Sequence, residues 1–277
     1  MMAKSIKVGA VVYAPQVTVV WGIIAKYFKS EGMDLENVFF KNYRDQTQAL
    51  IKGEIDVAWN SPLAHVEAMI KSDNKCGYSY MRDTDLDRTS CFLARNDSGI
   101  KDFADFKGKT IGFGAIDSPQ ARLIPIETLK EHNLISGKDY VEKTFDVDVG
   151  LDGDHEGGEV DALAALKDGS VDISVTTDNN RIKWTQDGTI DDQKIVVAGH
   201  TGLYDHCIFT TKPNFDPDTK AEWERILSKM DYNNPEHKEM MDLEGLKKWV
   251  PGRTKGFHLL EQAVDYLNFF DQKQTND

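Results

Sequence analysis

The chain has 277 residues, of which 40% are hydrophobic and 29% are charged, a composition typical of a globular protein large enough for two domains. Its formal net charge of −13, with no segment dominated by Lys and Arg, argues against binding to nucleic acid or to an anionic membrane surface. The sequence contains no apolar run of about 18 residues, so we expect no transmembrane segment.

The N-terminal residues run directly into a strand pattern at residues 6–13, without the apolar region of an export signal. Two interpretations follow from this start. Either a signal has been removed and the protein is periplasmic or otherwise extracytoplasmic, or the protein is cytoplasmic.

A weak internal repeat indicates two similar units. Residues 50–57 predict the end of a helix, a C-terminal cap at Gly53 and a short buried strand, and residues 166–173 predict the same series with Gly169 as the cap. Upstream of both lie a strand, a Pro-Gln turn and a helix. This alternation predicts an α/β fold of two lobes, in which mostly parallel sheets are flanked by helices.

Strand patterns at residues 89–95 and 206–211 mark the boundaries between the lobes. We place residues 1–93 and 206–277 in lobe one, which is then discontinuous, and residues 94–205 in lobe two. The patterns after residue 211 are helical, without a further strand, and these helices are predicted to cover lobe one. In this prediction the two connecting strands form a hinge, and a small molecule binds in the cleft between the lobes, at the carboxyl ends of the strands.

Three cysteines, Cys76, Cys91 and Cys207, are too few and too scattered for a disulfide framework or a zinc site. Cys91 and Cys207 lie in apolar stretches, which indicates small core residues rather than nucleophiles. The chain carries none of the common motifs for hydrolase, metalloprotease or nucleotide chemistry. We therefore predict no catalytic residue, no cofactor and no metal site.

Residues 145–159 are dense in carboxylates and glycine and fit neither half of the repeat. A solvent-exposed loop is the simplest interpretation. A loop that contacts the ligand and a site for a hard metal ion are the alternatives, although the spacing is not that of an EF-hand.

Two helix starts carry the clearest binding chemistry. Ser61 and Ser118 each precede a proline at the predicted first position of a helix, and each follows a strand. A helix N-terminus offers unpaired N–H groups and the positive end of the helix dipole, so the two starts together predict a cradle for an anion. Taken singly, each Ser-Pro pair is also an ordinary helix cap.

Other polar and aromatic side chains near the predicted strand ends are candidates for the walls of the site. Asp178 and Asp205 would face an anion unfavourably unless the ligand also carries a cation. The complete set of predicted ligand-binding residues is Tyr13, Tyr43, Trp59, Asn60, Ser61, Ser118, Gln120, His155, Asp178, Asn179, Tyr204 and Asp205.

Several short segments resemble the phosphonate-binding proteins of phosphate and phosphonate ABC transporters. They are VAWNSPLA at residues 57–64, GFG at 112–114 followed by Ser118, GEVDALA at 158–164, and NN at 179–180. Their order and spacing agree with that family over most of the chain. The resemblance implies the type II periplasmic-binding-protein fold, a phosphonate or related oxyanion as the ligand, and the membrane permease of an ABC transporter as the partner.

The resemblance also implies roles for individual positions. Tyr43 matches a tyrosine that helps to close over the anion, and Asp205 matches an aspartate that pairs with an aminoalkyl group. Residues 118–120 (SPQ) stand where the family carries Ser-Thr-Ser, so hydroxyl donors and one backbone N–H are lost. Gly158 stands where the family has a histidine, with His155 nearby.

The main prediction is therefore the solute-binding component of an ABC-type uptake system. The alternative is a cytosolic enzyme of small-molecule or cofactor biosynthesis on the same scaffold, with His155 or His206 as its acid or base. A ligand sensor that acts on a signalling protein is the third interpretation.

Overall fold

The computed structural model describes residues 4–152 and 157–273 and divides into two compact units. The first unit comprises Met1–Leu86 and Asp205–Lys255, and the second comprises Asp87–Tyr204 and Gly256–Asp277. None of the described helices combines the length and the apolar character that crossing a membrane requires.

The secondary structure alternates between strands and helices along most of the chain. The strands are β1 (Lys4–Val11), β2 (Met33–Phe40), β3 (Val57–Asn60), β4 (Gly77–Arg82), β5 (Ser90–Arg95), β6 (Thr110–Phe113), β7 (Val141–Thr144), β8 (Ile173–Thr177), β9 (Ile195–His200), β10 (Ile208–Thr211) and β11 (Trp249–Pro251). The α-helices are α1 (Gln16–Ser30), α2 (Tyr43–Ile51), α3 (Pro62–Lys71), α4 (Ile124–Glu131), α5 (Gly157–Asp168), α6 (Asp178–Gln186), α7 (Pro217–Ser228), α8 (Pro235–Leu243), α9 (His258–Tyr266) and α10 (Phe269–Lys273).

The sheet of the first unit has the strand order β11-β4-β10-β3-β1-β2. β1 pairs in parallel with β2 and β3, while β10 runs antiparallel between β3 and β4, and β11 is antiparallel to β4. Four of its six strands therefore point the same way. Large side chains from the helices form the core on this sheet, where Phe28 of α1 stacks on Trp223 of α7 with ring centroids 4.6 Å apart.

The sheet of the second unit has the order β7-β6-β8-β5-β9. β6 is parallel to β7 and β8, and β5 is antiparallel to both of its neighbours, so four of the five strands share one direction. Both sheets are thus mostly parallel, as the sequence predicts, and each is interrupted by the antiparallel strand that begins near a unit boundary.

The helix ends of the internal repeat have the predicted geometry. α2 ends at Ile51 and α5 at Asp168, and the glycines that follow, Gly53 and Gly169, have φ angles of +75° and +85°. A residue with a Cβ is strained in this left-handed conformation, whereas glycine adopts it without strain. The interpretation of both glycines as C-terminal caps is confirmed.

The C-terminal segment differs from the sequence prediction in two respects. Residues 249–251 form strand β11 although no strand was predicted there, because a three-residue segment that ends in proline carries little of the strand pattern. Residues from Gly256 onward belong to the second unit rather than to lobe one. The reason is packing, since the strongly amphipathic α9 places its apolar face against α4.

The three cysteines are free and buried. Cys91 is fully inaccessible and Cys207 is 2% exposed, so both are core residues as predicted. Burial raises the pKa of the Cys91 thiol, which keeps it in the protonated, unreactive form.

Candidate functional site

Each unit gathers polar residues at one end of its sheet. We call first edge the end where β1, β3 and β4 finish and β10 begins, with Tyr13, Asn60, Ser61, Asp85 and residues 205–207. We call second edge the end of the other sheet where β6, β7 and β8 finish and β5 begins. It carries residues 115–118, 177–179 and Ser90. In open α/β sheets the carboxyl ends of the strands are where ligands bind.

Both predicted serine caps are present. The Ser61 hydroxyl accepts a hydrogen bond from the Ala64 N–H at 3.2 Å, and the Ser118 hydroxyl accepts one from the Ala121 N–H at 3.1 Å. In each case a proline occupies the first helical position. Because the serine oxygen serves as acceptor, its hydroxyl hydrogen can be donated to an anion at the same helix start.

The helix start of the second edge contains a feature that the sequence did not predict. Pro119–Leu123 is a π-helical turn, in which the Leu123 N–H bonds to the Ser118 carbonyl at 3.0 Å. The Gly114 N–H also donates into this turn, to the Ala121 carbonyl at 3.1 Å. Wide turns of this kind are rare, and they are frequently found at functional sites.

Asn60 belongs to a chain of hydrogen bonds beneath the first edge. Gln46 donates to the Asn60 side-chain oxygen at 2.8 Å, and Asn60 donates to the Thr210 hydroxyl at 2.9 Å. Thr210 in turn contacts His65 Nδ1 at 2.9 Å. The Thr210 hydroxyl therefore links the Asn60 amide to the buried imidazole. Burial lowers the pKa of His65 to about 4.

The aromatic candidates of the first unit differ in accessibility. Tyr13 is 45% exposed, so its ring is available at the first edge. Tyr43 is 1% exposed and Trp59 is 8% exposed, and the Trp59 ring packs against Phe209 and Trp249. The structure therefore places Tyr13 at the surface of the edge and the other two predicted residues in the core below it.

Glu159 organises the second edge from the start of α5. One of its carboxylate oxygens accepts from the Thr176 hydroxyl at 2.5 Å, the Thr177 N–H at 3.1 Å and the Asn180 amide at 2.8 Å. It is 2% exposed. These contacts tie α5 to the end of β8, and they explain Asn180 as a positioning residue.

The position before Glu159 has no room for a side chain. A Cβ added at Gly158 would lie 2.3 Å from the Phe145 carbonyl oxygen and 3.0 Å from the Ala115 nitrogen, both backbone atoms. The histidine that the family resemblance implies at this position cannot be accommodated in this packing. His155, the predicted neighbour of this position, lies outside the described residues.

The remaining candidates of the second edge differ in their contacts. Asp178 accepts from the Thr89 hydroxyl at 2.5 Å and lies 3.3 Å from Nε2 of His200. The Tyr204 hydroxyl, whose pKa is raised by burial, lies 2.8 Å from the Ser90 hydroxyl. Ser90 donates at 2.6 Å to the backbone carbonyl of Gln120, a residue with 4% exposure, whereas Asn179 is exposed.

Two arginine pairs at the first edge were missed by the sequence reasoning. Arg82 binds both carboxylate oxygens of Asp85, and Arg253 binds both oxygens of Asp205. Asp205 lies 48 residues before Arg253 in the sequence, and no local sequence pattern predicts a pair of residues so far apart.

Asp85, His206 and Cys207 lie close enough together to suggest a metal or nucleophile site. The same imidazole nitrogen, Nδ1, faces the Cys207 sulfur at 3.1 Å and the Asp85 carboxylate at 3.6 Å. A proton relay needs the two nitrogens on opposite sides of the ring, so the group is not a catalytic triad. The Arg82 guanidinium is bound to Asp85, and its positive charge would repel a metal cation at this position.

The sequence profile described as "ABC transporter, phosphonate, periplasmic substrate-binding protein" matches residues 10–256. The chain belongs to this family. Its members are substrate-binding components of transporters, which agrees with the predicted binding protein and not with the biosynthetic enzyme that was its alternative.

Solved structures support the same fold. The chain is similar to the PhnD1 protein of Prochlorococcus marinus, solved with methylphosphonate, with 16% identity, coverage of 96% of this chain and 99% of that one, and a TM-score of 0.68. It is also similar to a Xanthomonas citri protein bound to ATP, with 13% identity, coverage of 96% and 98%, and a TM-score of 0.73. A binding component of a phosphonate transporter from Pseudomonas aeruginosa shows 17% identity, coverage of 96% and 89%, and a TM-score of 0.61. These likenesses confirm the two-lobed periplasmic-binding-protein fold.

One curated relative shares a short segment. An uncharacterized protein of Haemophilus influenzae is 82% identical over 27 residues, which are 10% of this chain. The match spans 38% of the length of that relative.

Proposed function

We propose that this phosphonate-binding family member is the solute-binding component of an ABC-type uptake system. Its ligand is a compact oxyanion of the phosphonate class, which it delivers to a membrane permease. The periplasm is the compartment that fits this role. The observation that carries the proposal is the matched pair of serine-capped helix starts, Ser61 at the first edge and Ser118 at the second edge.

The donors at these helix starts can bind an anion without the participation of an acid or base residue. Backbone N–H groups at a helix N-terminus and a serine hydroxyl are neutral donors that hydrogen-bond strongly to a charged oxygen. The histidines described near the edges are each in contact with other side chains, His65 with Thr210, His206 with Cys207 and Asp85, and His200 with Asp178. The neutral donors of the two helix starts support binding and release of an anion.

The binding of the ligand between the two units stays a prediction from the sequence, as do the contacts of the individual residues. Among them, Ser118, Ser61 and Tyr13 have the best support, since the first two cap helices at the edges and Tyr13 is exposed there.

A thermal-shift experiment tests the proposal with methylphosphonate, inorganic phosphate and methanesulfonate. We expect methylphosphonate to raise the Tm by several degrees, because ligand at about 100 times its Kd adds about 2.7 kcal/mol to the unfolding free energy. We expect Ser118→Ala to weaken binding of that anion by about tenfold or more, since a hydrogen bond to a charged group is lost.

The control for Ser118→Ala is Asp216→Ala. Asp216 caps α7 and is likewise followed by a proline, but it lies after the end of β10, away from the first edge. Both variants lose a cap and about 1 kcal/mol of stability, and only Ser118→Ala is expected to lose affinity. No shift with methylphosphonate, or equal affinity in the two variants, contradicts the proposal.

A further inference from the structure

The buried carboxylates of the first edge are already neutralised within the protein. Asp205 is 1% exposed, and its two oxygens accept hydrogen bonds from Nε and Nη2 of Arg253, both at 2.6 Å. Asp85 is fully buried and is held in the same way by Arg82, at 2.6 and 2.9 Å. Each carboxylate therefore forms a two-pronged ion pair, the strongest arrangement that Arg and Asp can adopt.

A carboxylate in such a pair is a poor partner for a charged ligand group. An ammonium ion loses its hydration when it enters a binding site, and a desolvated carboxylate must compensate for that loss. To reach Asp205, the ammonium would have to displace Arg253 and leave a guanidinium without its counter-ion. The Arg253 side chain is 27% exposed and the Asp205 side chain is not exposed, so a ligand at this edge would meet the positive side of the ion pair and not the carboxylate.

We propose that Arg253 determines the specificity of the site by neutralising Asp205. The site then takes phosphonates without an ammonium group, such as ethylphosphonate, and discriminates against 2-aminoethylphosphonate. This inference rests on the proposed function, because it assumes that an oxyanion binds at the first edge. It reverses the role that the family resemblance implies for Asp205, which here pairs with Arg253 and not with an aminoalkyl group.

The test is a calorimetric comparison of ethylphosphonate and 2-aminoethylphosphonate, which differ by one amino group. We expect the wild-type protein to bind ethylphosphonate about tenfold more tightly or better. In Arg253→Gln the carboxylate of Asp205 is released, and we expect this ratio to shrink by about fivefold or more. The ratio is taken within one protein sample, so a loss of folded protein does not affect it.

Arg225→Gln is the matched control. Arg225 makes a similar two-pronged pair with Glu222 on the exposed surface of α7, at 2.8 and 2.7 Å, and its removal is expected to leave the ratio unchanged. If the wild-type protein binds 2-aminoethylphosphonate as tightly as ethylphosphonate or more tightly, the inference is wrong although the proposed function stands. If Arg253→Gln leaves the ratio unchanged, Arg253 does not set it. If neither phosphonate binds, the proposed function itself fails.

Discussion

Gly158→Ala is expected to destabilise the second unit by about 2–3 kcal/mol, which is at the upper end of the cost of overpacking a well-packed site. The new Cβ would lie 2.3 Å from the Phe145 carbonyl oxygen and within 3.2 Å of backbone atoms of residues 114 and 115. Backbone atoms cannot rotate away as a flexible side chain can, so either α5 or the segments that follow β6 and β7 must move. Either movement disturbs the Glu159 contacts that order the second edge.

Urea denaturation followed by circular dichroism measures this effect, and calorimetry with the identified anion measures the accompanying loss of affinity. We expect that loss to be about tenfold or more, since a small displacement of donors is costly in a preorganised site. Gly22→Ala is the control, because Gly22 lies within α1 and a Cβ there meets nothing within 4 Å. It should stabilise the protein by about 0.5–1 kcal/mol. A Gly158→Ala protein as stable as wild type would show that α5 does not pack as described.

His65 is expected to make the protein acid-sensitive. Its pKa in the folded protein is about 4, below the ordinary value of 6.5, because the imidazole is buried. The unfolded chain therefore takes up a proton first as the pH falls. His65 therefore has no effect on the unfolding free energy above about pH 6.5, and it lowers that free energy progressively between about pH 6.5 and about pH 4. The difference between the two pKa values corresponds to about 3 kcal/mol.

His65→Gln removes the titration, while the amide, which has both a donor and an acceptor, can still hydrogen-bond to the Thr210 hydroxyl. Unfolding free energies measured between pH 7 and pH 4 should fall by about 3 kcal/mol less in this variant than in wild type. His258→Gln provides the control, because it makes the same substitution at an exposed position at the start of α9. Parallel profiles for wild type and His65→Gln would mean that His65 titrates normally.

The parts of the fold that follow from local rules were predicted from the sequence. Gly53 and Gly169 are caps because only a residue without a Cβ adopts their positive φ angles at no cost. Ser61 and Ser118 are caps because a serine before a proline suits a helix start. Each of these features depends on a few neighbouring residues, which is what a sequence pattern records.

The features that the sequence did not reveal depend on distant contacts. The spacing of apolar residues in α9 shows which side of the helix is apolar, but it does not show that this side packs against α4. The pairing of Asp205 with Arg253 joins residues 48 positions apart and turns a carboxylate with an expected role in ligand binding into half of an internal ion pair. The π-helical turn after Ser118 arises from the bonding of Gly114 and Leu123 around it, which no propensity describes.

The central claim, that this chain binds a compact phosphorus oxyanion and leaves it unchanged, is tested most directly by titrating methylphosphonate into the protein and recording the phosphorus NMR spectrum afterwards. We expect the heat measured by titration calorimetry to saturate at one site per chain, and the NMR spectrum to show only intact methylphosphonate. Absence of binding at about 1 mM ligand, where even a weak site of about −4 kcal/mol is half occupied, would contradict the claim. Conversion of the ligand into a new phosphorus species would contradict it equally, because a binding protein performs no chemistry.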